Sequence, residues 1–267
     1  MRTSPMLHQP SSDYNPPSTL STTQVIFRIT LIIMVWEFII MLALGSLTIG
    51  VGIYWLATLD IFILSTLSAP CIYLWVIRPF TQARDQAIMQ IHYLAHTDPL
   101  TQLANRRGLT ICLEKLVALT NNHDISGAVL LIDLDGFKVI NDIEGHAAGD
   151  AVLVEIAQRL HNNISPEDSV GRLGGDEFMV LLTNLNSNED ISQDFAMQAA
   201  NKLCDKIKEP IVFENRLLNV GASIGIRILG FEELDTDKAI KDADTAMYFA
   251  KQAGKSCAVV YKATLLS

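Results

Sequence analysis

Residues 170–182 read VGRLGGDEFMVLL, in which two apolar runs flank four glycine or acidic residues at 174–177. Short apolar runs joined by a glycine-containing turn predict two antiparallel strands, that is, a β-hairpin. Gly174 and Gly175 would let a phosphate or ribose approach the backbone, because neither has a side chain. Asp176 and Glu177 add two carboxylates to the same turn. Since glycine turns also occur in hairpins that bind nothing, a second feature is needed to indicate a function.

The run AVLLIDL at 128–134 has the length and apolar character of a strand buried on both faces, and a second acidic pair lies at its C-terminal end. Asp133 and Asp135 lie at its end, where open α/β sheets place their ligand crevices. If the two strands are neighbours, Asp133 and Asp176 converge, and close carboxylates are costly unless a cation lies between them. Oxygen ligands of this kind suit Mg²⁺, and Lys138 is close enough in sequence to reach a phosphate.

The rest of the segment from Thr97 onward alternates between helical and strand-like patterns. This order predicts an α/β layer structure with a central mixed sheet flanked by helices. Helices are expected near 104–120, 149–163, 190–208 and 236–253, and further strands across 211–228 and near 257–261.

The N-terminal third predicts a membrane anchor. Arg28 precedes a long apolar stretch, Arg78 and Arg84 follow it, and the loop within it has no Lys or Arg, so both ends are expected in the cytoplasm. Glu37 lies inside the first span, and either a sensing or packing role or a protonated Glu hydrogen-bonded to a neighbouring helix remains open. The expected segments are an unstructured tail at 1–24, an apolar region at 25–78 with spans near 26–47 and 57–77, and a turn at Gly50–Tyr54.

Residues 79–96 connect the spans to the α/β domain. Pro79 marks an expected boundary, and 80–96 reads as a helix with one apolar stripe. Such a stripe packs either on its own domain or against a second copy as a short coiled coil, and its place directly after a span favours the coiled coil. The stripe consists of Ala83, Ala87, Ile88, Ile91, Leu94 and Ala95.

Charge and cysteine content exclude some functions. The net charge is −9, and residues 1–96 sum to zero, so the excess acid lies in 97–267. An acidic domain is a poor candidate for binding nucleic acid, because that requires clustered Lys and Arg. The 4 Cys match no zinc spacing and predict reduced thiols in a cytosolic compartment.

The motifs together resemble the GGDEF family of diguanylate cyclases over residues 97–263. The resemblance rests on six motifs in order: Thr97–Arg107 with its DPLTQLANRR, Asp133–Lys138 with Asn141-Asp142, Gly145–Asp150, Gly174–Phe178, Ala222–Gly225, and Asp242–Asp244 with Tyr248 and Lys251. It implies a palm-like domain, similar to nucleotidyl cyclases, that condenses two GTP into cyclic di-GMP as a homodimer. Together with the two expected apolar spans, it indicates a multi-pass protein of the bacterial inner membrane, in contact with lipid and with a possible membrane or periplasmic signalling partner.

The resemblance assigns roles to individual residues. The implied ligands of two Mg²⁺ ions, or of Mn²⁺, are Asp133, the Leu134 carbonyl, Asp176 and Glu177. The implied catalytic residues are Asp176, Glu177 and Lys138, and the implied contacts to the substrate are Asn141 and Asp150 at the guanine, with Phe137, His146, Gly174, Gly175, Lys251 and Lys255.

Three positions depart from the family pattern. Ser165 stands where the product-inhibition motif RxxD, which would end at Asp168, has its Arg, so we expect feedback by that route to be weak or absent. Lys255 replaces an Arg and loses the bidentate fork, and Gly136 replaces a bulky residue and is expected to loosen local packing. Two alternatives stay open: a catalytically silent regulator that binds GTP or cyclic di-GMP, and a membrane sensor that acts by protein contact through 80–96.

Overall fold

The computed structural model of the chain describes residues 21–45, 53–121 and 125–263. Two compact units divide at residues 92 and 93. Residues 1–20 of the tail expected to be unstructured lie outside the described residues. The first three residues of the turn expected at Gly50–Tyr54 also lie outside them.

The N-terminal unit contains two apolar helices. Helix α1 spans Thr22–Gly45 and begins inside the segment expected to be unstructured. Its start is fixed by a capping box, in which the Gln24 N–H donates to Ser21 Oγ at 3.2 Å and the Ser21 N–H donates to Gln24 Oε1 at 3.1 Å. Helix α2 spans Ile53–Ile72 and continues through a π-helical turn, Tyr73–Ile77, into α3, Arg78–His96.

Residues Thr22–Ala43 and Ala57–His96 contain stretches long and apolar enough to cross a membrane, with mean hydropathies of 2.4 and 1.7. Arg28 near the start of α1 donates to the Trp75 carbonyl at 3.2 Å, and its guanidinium lies 5.7 Å from the Trp75 ring centroid. The start of the first apolar helix is therefore close to the end of the second, as an antiparallel pair requires. Glu37 is exposed on α1.

The structure differs from the sequence prediction at Pro79, where a helix boundary was expected. The helix continues through this residue, and the π-helical turn directly precedes Arg78, the first residue of α3. Proline lacks a backbone N–H, and a widened turn beside it is one way in which a helix stays continuous.

The C-terminal unit is a mixed sheet between two layers of helices. The sheet has the strand order β1-β3-β4-β2-β7-β8, with β1–β3 and β7–β8 parallel and the other pairs antiparallel, and β5 pairs with β6 separately. The elements are β1 Ala104–Asn105, α4 Arg106–Asn121, β2 Ser126–Asp135, α5 Phe137–Glu144, α6 His146–Asn162, β3 Ser169–Gly174, β4 Glu177–Leu185, α7 Glu189–Lys208, β5 Ile211–Phe213, β6 Arg216–Leu218, β7 Gly221–Leu229, α8 Thr236–Gln252 and β8 Ala258–Val260. The α/β class, the mixed sheet and the β3–β4 hairpin are as predicted.

The central strand β2 is buried on both faces. Leu130 and Ile132 pack into one core with α6 and α7, whereas Val129 and Leu131 pack into a second core with α4 and α8. Because neither face meets water, the strand reads as a continuous apolar run until Asp133. After Ser126 at the start of the strand, the next polar side chain is Asp133, which is partly exposed near the other end.

Candidate active site

The ends of β2 and β4 bring the two acidic clusters together. Asp133 lies opposite Glu177 in the antiparallel register, and the Leu134 N–H donates to the Asp176 carbonyl at 3.2 Å. Asp133 and Asp176 line the same open cleft, which has a volume of about 390 Å³. The predicted convergence of these two carboxylates is thus present in the fold.

Three lysines share the cleft with the carboxylates. Lys138 lies in the first turn of α5, Lys251 lies in the last turn of α8, and Lys255 lies in the turn between α8 and β8. Lys138 and Lys255 are exposed, whereas Lys251 directs its ammonium to Asp133, with 2.7 Å between Nζ and Oδ2. The cleft therefore combines carboxylates with cations that come from three different elements.

The two glycines of the hairpin turn adopt left-handed backbone conformations. Gly174 has φ 141° and Gly175 has φ 56°, values that side chains disfavour, and a Cβ at either position would meet no atom within 4 Å. The turn requires glycine for its backbone and also leaves open space above it, as expected for a surface that a ligand approaches.

Arg172 stabilises this turn through hydrogen bonds to its backbone. Its Nε and Nη2 donate to the Gly175 carbonyl at 3.0 and 2.8 Å, and its Nη1 lies 3.3 Å from Asp98 Oδ1. Asp98 also accepts from the N–H and the hydroxyl of Thr101. Burial alone would raise the pKa of Asp98, but the Thr101 hydrogen bonds and the Arg172 charge outweigh it and lower the pKa.

Sequence reasoning missed Arg172. The signal was present, because a cation in β3, between Gly171 and Leu173 in a strand that was expected to be apolar, needs a partner inside the fold.

Asp135 also lines the cleft, but its carboxylate is engaged in hydrogen bonds that hold the surrounding backbone. Its carboxylate accepts from Ser223 Oγ at 2.9 Å and from the Ser256 N–H at 2.9 Å. Lys255 and Ser256 have φ values of 66° and 53°. Asp135 thereby ties the turn that carries Lys255 to the start of β7, and a Cβ at Gly221 would collide with the Ser256 hydroxyl.

Gly136 occupies an open position, where a Cβ would meet no atom within 4 Å. It has φ 81° at the N-terminus of α5, a conformation in which a bulky residue would be strained. The next residue, Phe137, also borders the cleft, but its side chain is only 8% exposed and packs in the core.

The residues expected at the guanine form a corner between α5 and α6. Asn141 is half-buried, and a Cβ at Gly149 would collide with its Oδ1, so the amide lies directly against the α6 backbone. Asp150 follows Gly149, and His146 begins α6; both are exposed. Lys138 and Asn141 are three residues apart on α5 and share one face of it, which connects the corner to the cleft.

The carboxylates of the cleft fit a magnesium ion whose remaining ligands come from water and from the phosphates of a nucleotide. Within residues 21–45, 53–121 and 125–263, no group of three or more His, Cys, Asp or Glu side chains is close enough to cage a metal by itself. Mg²⁺ does not need such a cage, because it commonly uses one or two carboxylates together with waters and phosphates. Asp133 and Asp176 provide that number, whereas Glu177 Oε2 lies 4.0 Å from Arg106 Nη2.

Comparison with known proteins identifies the family of the α/β domain. The family described as "Diguanylate cyclase, GGDEF domain" matches residues 95–257. Diguanylate cyclase TpbB of Pseudomonas aeruginosa is 42% identical over 160 residues, covering 59% of this chain and 35% of TpbB. Diguanylate cyclase DgcP of Escherichia coli is 39% identical over 163 residues, covering 59% of this chain and 45% of DgcP.

Solved structures show the same domain. The GGDEF domain of TpbB has a TM-score of 0.58 and 38% identity, covering 64% of this chain and 97% of the solved chain. A GGDEF protein of Caulobacter crescentus has a TM-score of 0.55 and 35% identity, covering 60% of this chain and 99% of the solved chain. The chain spans less than half the length of the curated relatives TpbB and DgcP. Because the family match covers more than half of its residues, the chain belongs to the GGDEF family.

Proposed function

We propose that this chain is a diguanylate cyclase that condenses two GTP into cyclic di-GMP and two pyrophosphates. The observation that carries the proposal is the meeting of Asp133 and Asp176 in one cleft with three lysines. This arrangement lies in a domain of the GGDEF family, and relatives at 42% and 39% identity are named diguanylate cyclases.

The carboxylates would bind the cation, and the lysines would bind the triphosphate. Asp133, the Leu134 carbonyl, Asp176 and Glu177 are the proposed ligands of two Mg²⁺ ions per site, with Mn²⁺ as the alternative ion. A bound divalent ion neutralises charge on the transferring phosphate and on the leaving pyrophosphate. Lys138, assigned a catalytic role, acts with Lys251 and Lys255 to neutralise the oxygens that the carboxylates would otherwise repel.

The α5–α6 corner would select the base. Asn141 and Asp150 present an amide and a carboxylate that hydrogen-bond to the guanine edge, and adenine would leave both without partners. Phe137 and His146 border this path, and the open surface above Gly174 and Gly175 would admit the ribose and phosphates.

The reaction needs two nucleotides that face each other. The 3′-hydroxyl oxygen of one GTP forms a bond to the α-phosphorus of the other, the bond between α-phosphorus and bridging oxygen breaks, and pyrophosphate leaves. The protein contributes mainly alignment and charge. Because each domain offers one such cleft, we propose a homodimer. Its contact would be the apolar stripe on 79–96, in which Ile88 and Leu94 are 48% and 66% exposed.

The two apolar helices support a membrane location. We propose a multi-pass protein of the bacterial inner membrane with both termini in the cytoplasm, in which lipid contact or a signalling partner changes the alignment of the two domains. The absence of Arg at Ser165 supports weak product feedback.

The direct test is turnover. The whole chain, purified in detergent, is incubated with GTP and Mg²⁺, and the product is identified by mass. We expect cyclic di-GMP from the wild type and none from Asp176→Ala, whereas Asp194→Ala, a change of the same charge at an exposed position of α7, keeps the activity. If the folded wild type binds GTP but gives no product at high protein concentration, a silent nucleotide-binding regulator replaces the proposed enzyme.

A further inference from the structure

The closest charge contact in the cleft joins a proposed metal ligand to a proposed phosphate ligand. Lys251 Nζ lies 2.7 Å from Asp133 Oδ2, and the two side chains are 35% and 17% exposed. The ammonium is a positive partner for this partly buried carboxylate. The same oxygen atoms are the ones that a divalent cation would require.

The backbone of Lys251 is fixed, so only its side chain can move. Ala246, Met247 and Ala250 of α8 are buried, and α8 lies so close to β7 that a Cβ at Gly225 would collide with the Ala243 carbonyl. The four-carbon stem of lysine is flexible and ends in a single compact charge. The ammonium can therefore leave Asp133 for another anion in the cleft without any rearrangement of the helix.

Of the charged side chains in the cleft, only Asp133 and Lys251 form an ion pair that a divalent cation would have to break, among the residues that the structure describes. Asp135 is occupied by Ser223 and Ser256. Among the described residues, Lys138 and Lys255 have no carboxylate within ion-pair distance. A divalent cation that binds Asp133 must displace Lys251, and the displaced ammonium is then free to pair with a triphosphate that enters with the cation.

We propose that Lys251 is an internal counter-ion that blocks Asp133 in the empty site and is transferred to the nucleotide phosphates when the cation binds. The cation alone then binds weakly, the nucleotide alone binds weakly, and each strengthens the other, because coupling between two ligands is reciprocal. This inference rests on the proposed function for the identity of the nucleotide as GTP. It adds that Lys251 keeps the site closed to either ligand alone.

The test measures binding and needs no turnover. Affinity for Mn²⁺ is measured on the whole chain in detergent by the paramagnetic resonance signal of free Mn²⁺, with and without a GTP analogue that has a methylene bridge between the α- and β-phosphates. The variant is Lys251→Met, which keeps the length and apolar stem of the side chain. The matched control is Lys255→Met, which removes the same charge from the same cleft but does not contact Asp133.

We expect Lys251→Met to bind Mn²⁺ alone at least about fivefold more tightly than Lys255→Met does, and the enhancement by the GTP analogue to shrink by a similar factor. Equal Mn²⁺ affinities in the two variants, with the wild type still making cyclic di-GMP, would overturn the inference and leave the proposed function intact. Tighter Mn²⁺ binding by Lys251→Met in a chain that makes no cyclic di-GMP would support the ion exchange and refute the enzyme. Asp133→Asn, which lacks the shared carboxylate, should bind Mn²⁺ equally weakly with and without the added Lys251→Met substitution.

Discussion

The guanidinium of Arg172 donates two hydrogen bonds to the carbonyl oxygen of Gly175, from Nε at 3.0 Å and from Nη2 at 2.8 Å. Gly175 directly precedes Asp176, so one side chain fixes the backbone that carries a proposed metal ligand. The same guanidinium pairs with Asp98, which follows the end of α3 by two residues. The segment after α3 and the acidic turn are therefore joined through a single residue of β3.

The first prediction concerns Arg172→Lys. Lysine keeps a charge for Asp98 but cannot donate in parallel to the Gly175 carbonyl. We expect turnover to fall by up to about 100-fold, because small displacements of aligned groups are costly in rate, with little change in melting temperature. Lys115→Ala, which removes an exposed cation from α4, should leave both unchanged. Wild-type turnover in Arg172→Lys would show that the turn does not depend on this contact.

The second prediction concerns Asp98 and acid stability. The pKa of Asp98 is lower in the folded protein than its ordinary value of 3.8, so its ionised form stabilises the fold. That contribution is complete above the ordinary value and is lost as pH falls through the folded pKa. Asp98→Asn should lower the free energy of unfolding by about 1–3 kcal/mol at pH 7.

The pH profile separates this effect from a general defect. Melting temperatures of wild type and Asp98→Asn should converge as the pH is lowered below 3.8, because the wild type then loses the charge that the variant lacks. Asp244→Asn, at an exposed position, should stay parallel to the wild type throughout. A constant gap between Asp98→Asn and the wild type at all pH values would contradict the assignment.

The sequence predicted the sheet and the meeting of Asp133 with Asp176, because a strand buried on both faces and a glycine-rich hairpin leave strong local patterns. It did not predict the partners of Asp135 or the pairing of Lys251 with Asp133, which depend on contacts across 121 and 118 residues of chain. Periodicity carries no information about which distant polar atoms will meet. The continuous helix through Pro79 was missed for a related reason, since a π-helical turn has no sequence pattern of its own.

A third prediction tests the α5–α6 corner. The Cβ of Gly149→Ala would collide with Asn141 Oδ1 and push the amide off the position proposed to face guanine. We expect a rise in KM for GTP of about tenfold or more and a smaller preference for GTP over ATP, because a displaced hydrogen-bonding group discriminates less well. Ala147→Ser, on the exposed side of the same helical turn, is the control. An unchanged preference for GTP in a folded Gly149→Ala would remove Asn141 from the recognition of the base.

The last prediction concerns product feedback. Asp168 is already oriented in this fold, because the Ser165 N–H donates to its Oδ2 at 3.0 Å and the Thr183 N–H donates to its Oδ1 at 2.9 Å. Ser165 is exposed, so Ser165→Arg adds a guanidinium beside this carboxylate without disturbing the core. Cyclic di-GMP added to the assay should inhibit Ser165→Arg at a concentration at least about tenfold lower than the wild type, since a bidentate fork matches a phosphate. Ser165→Lys brings the charge without the fork and should gain less. Strong inhibition of the wild type itself would mean that this chain senses its product at another surface, and that the missing Arg has no regulatory consequence.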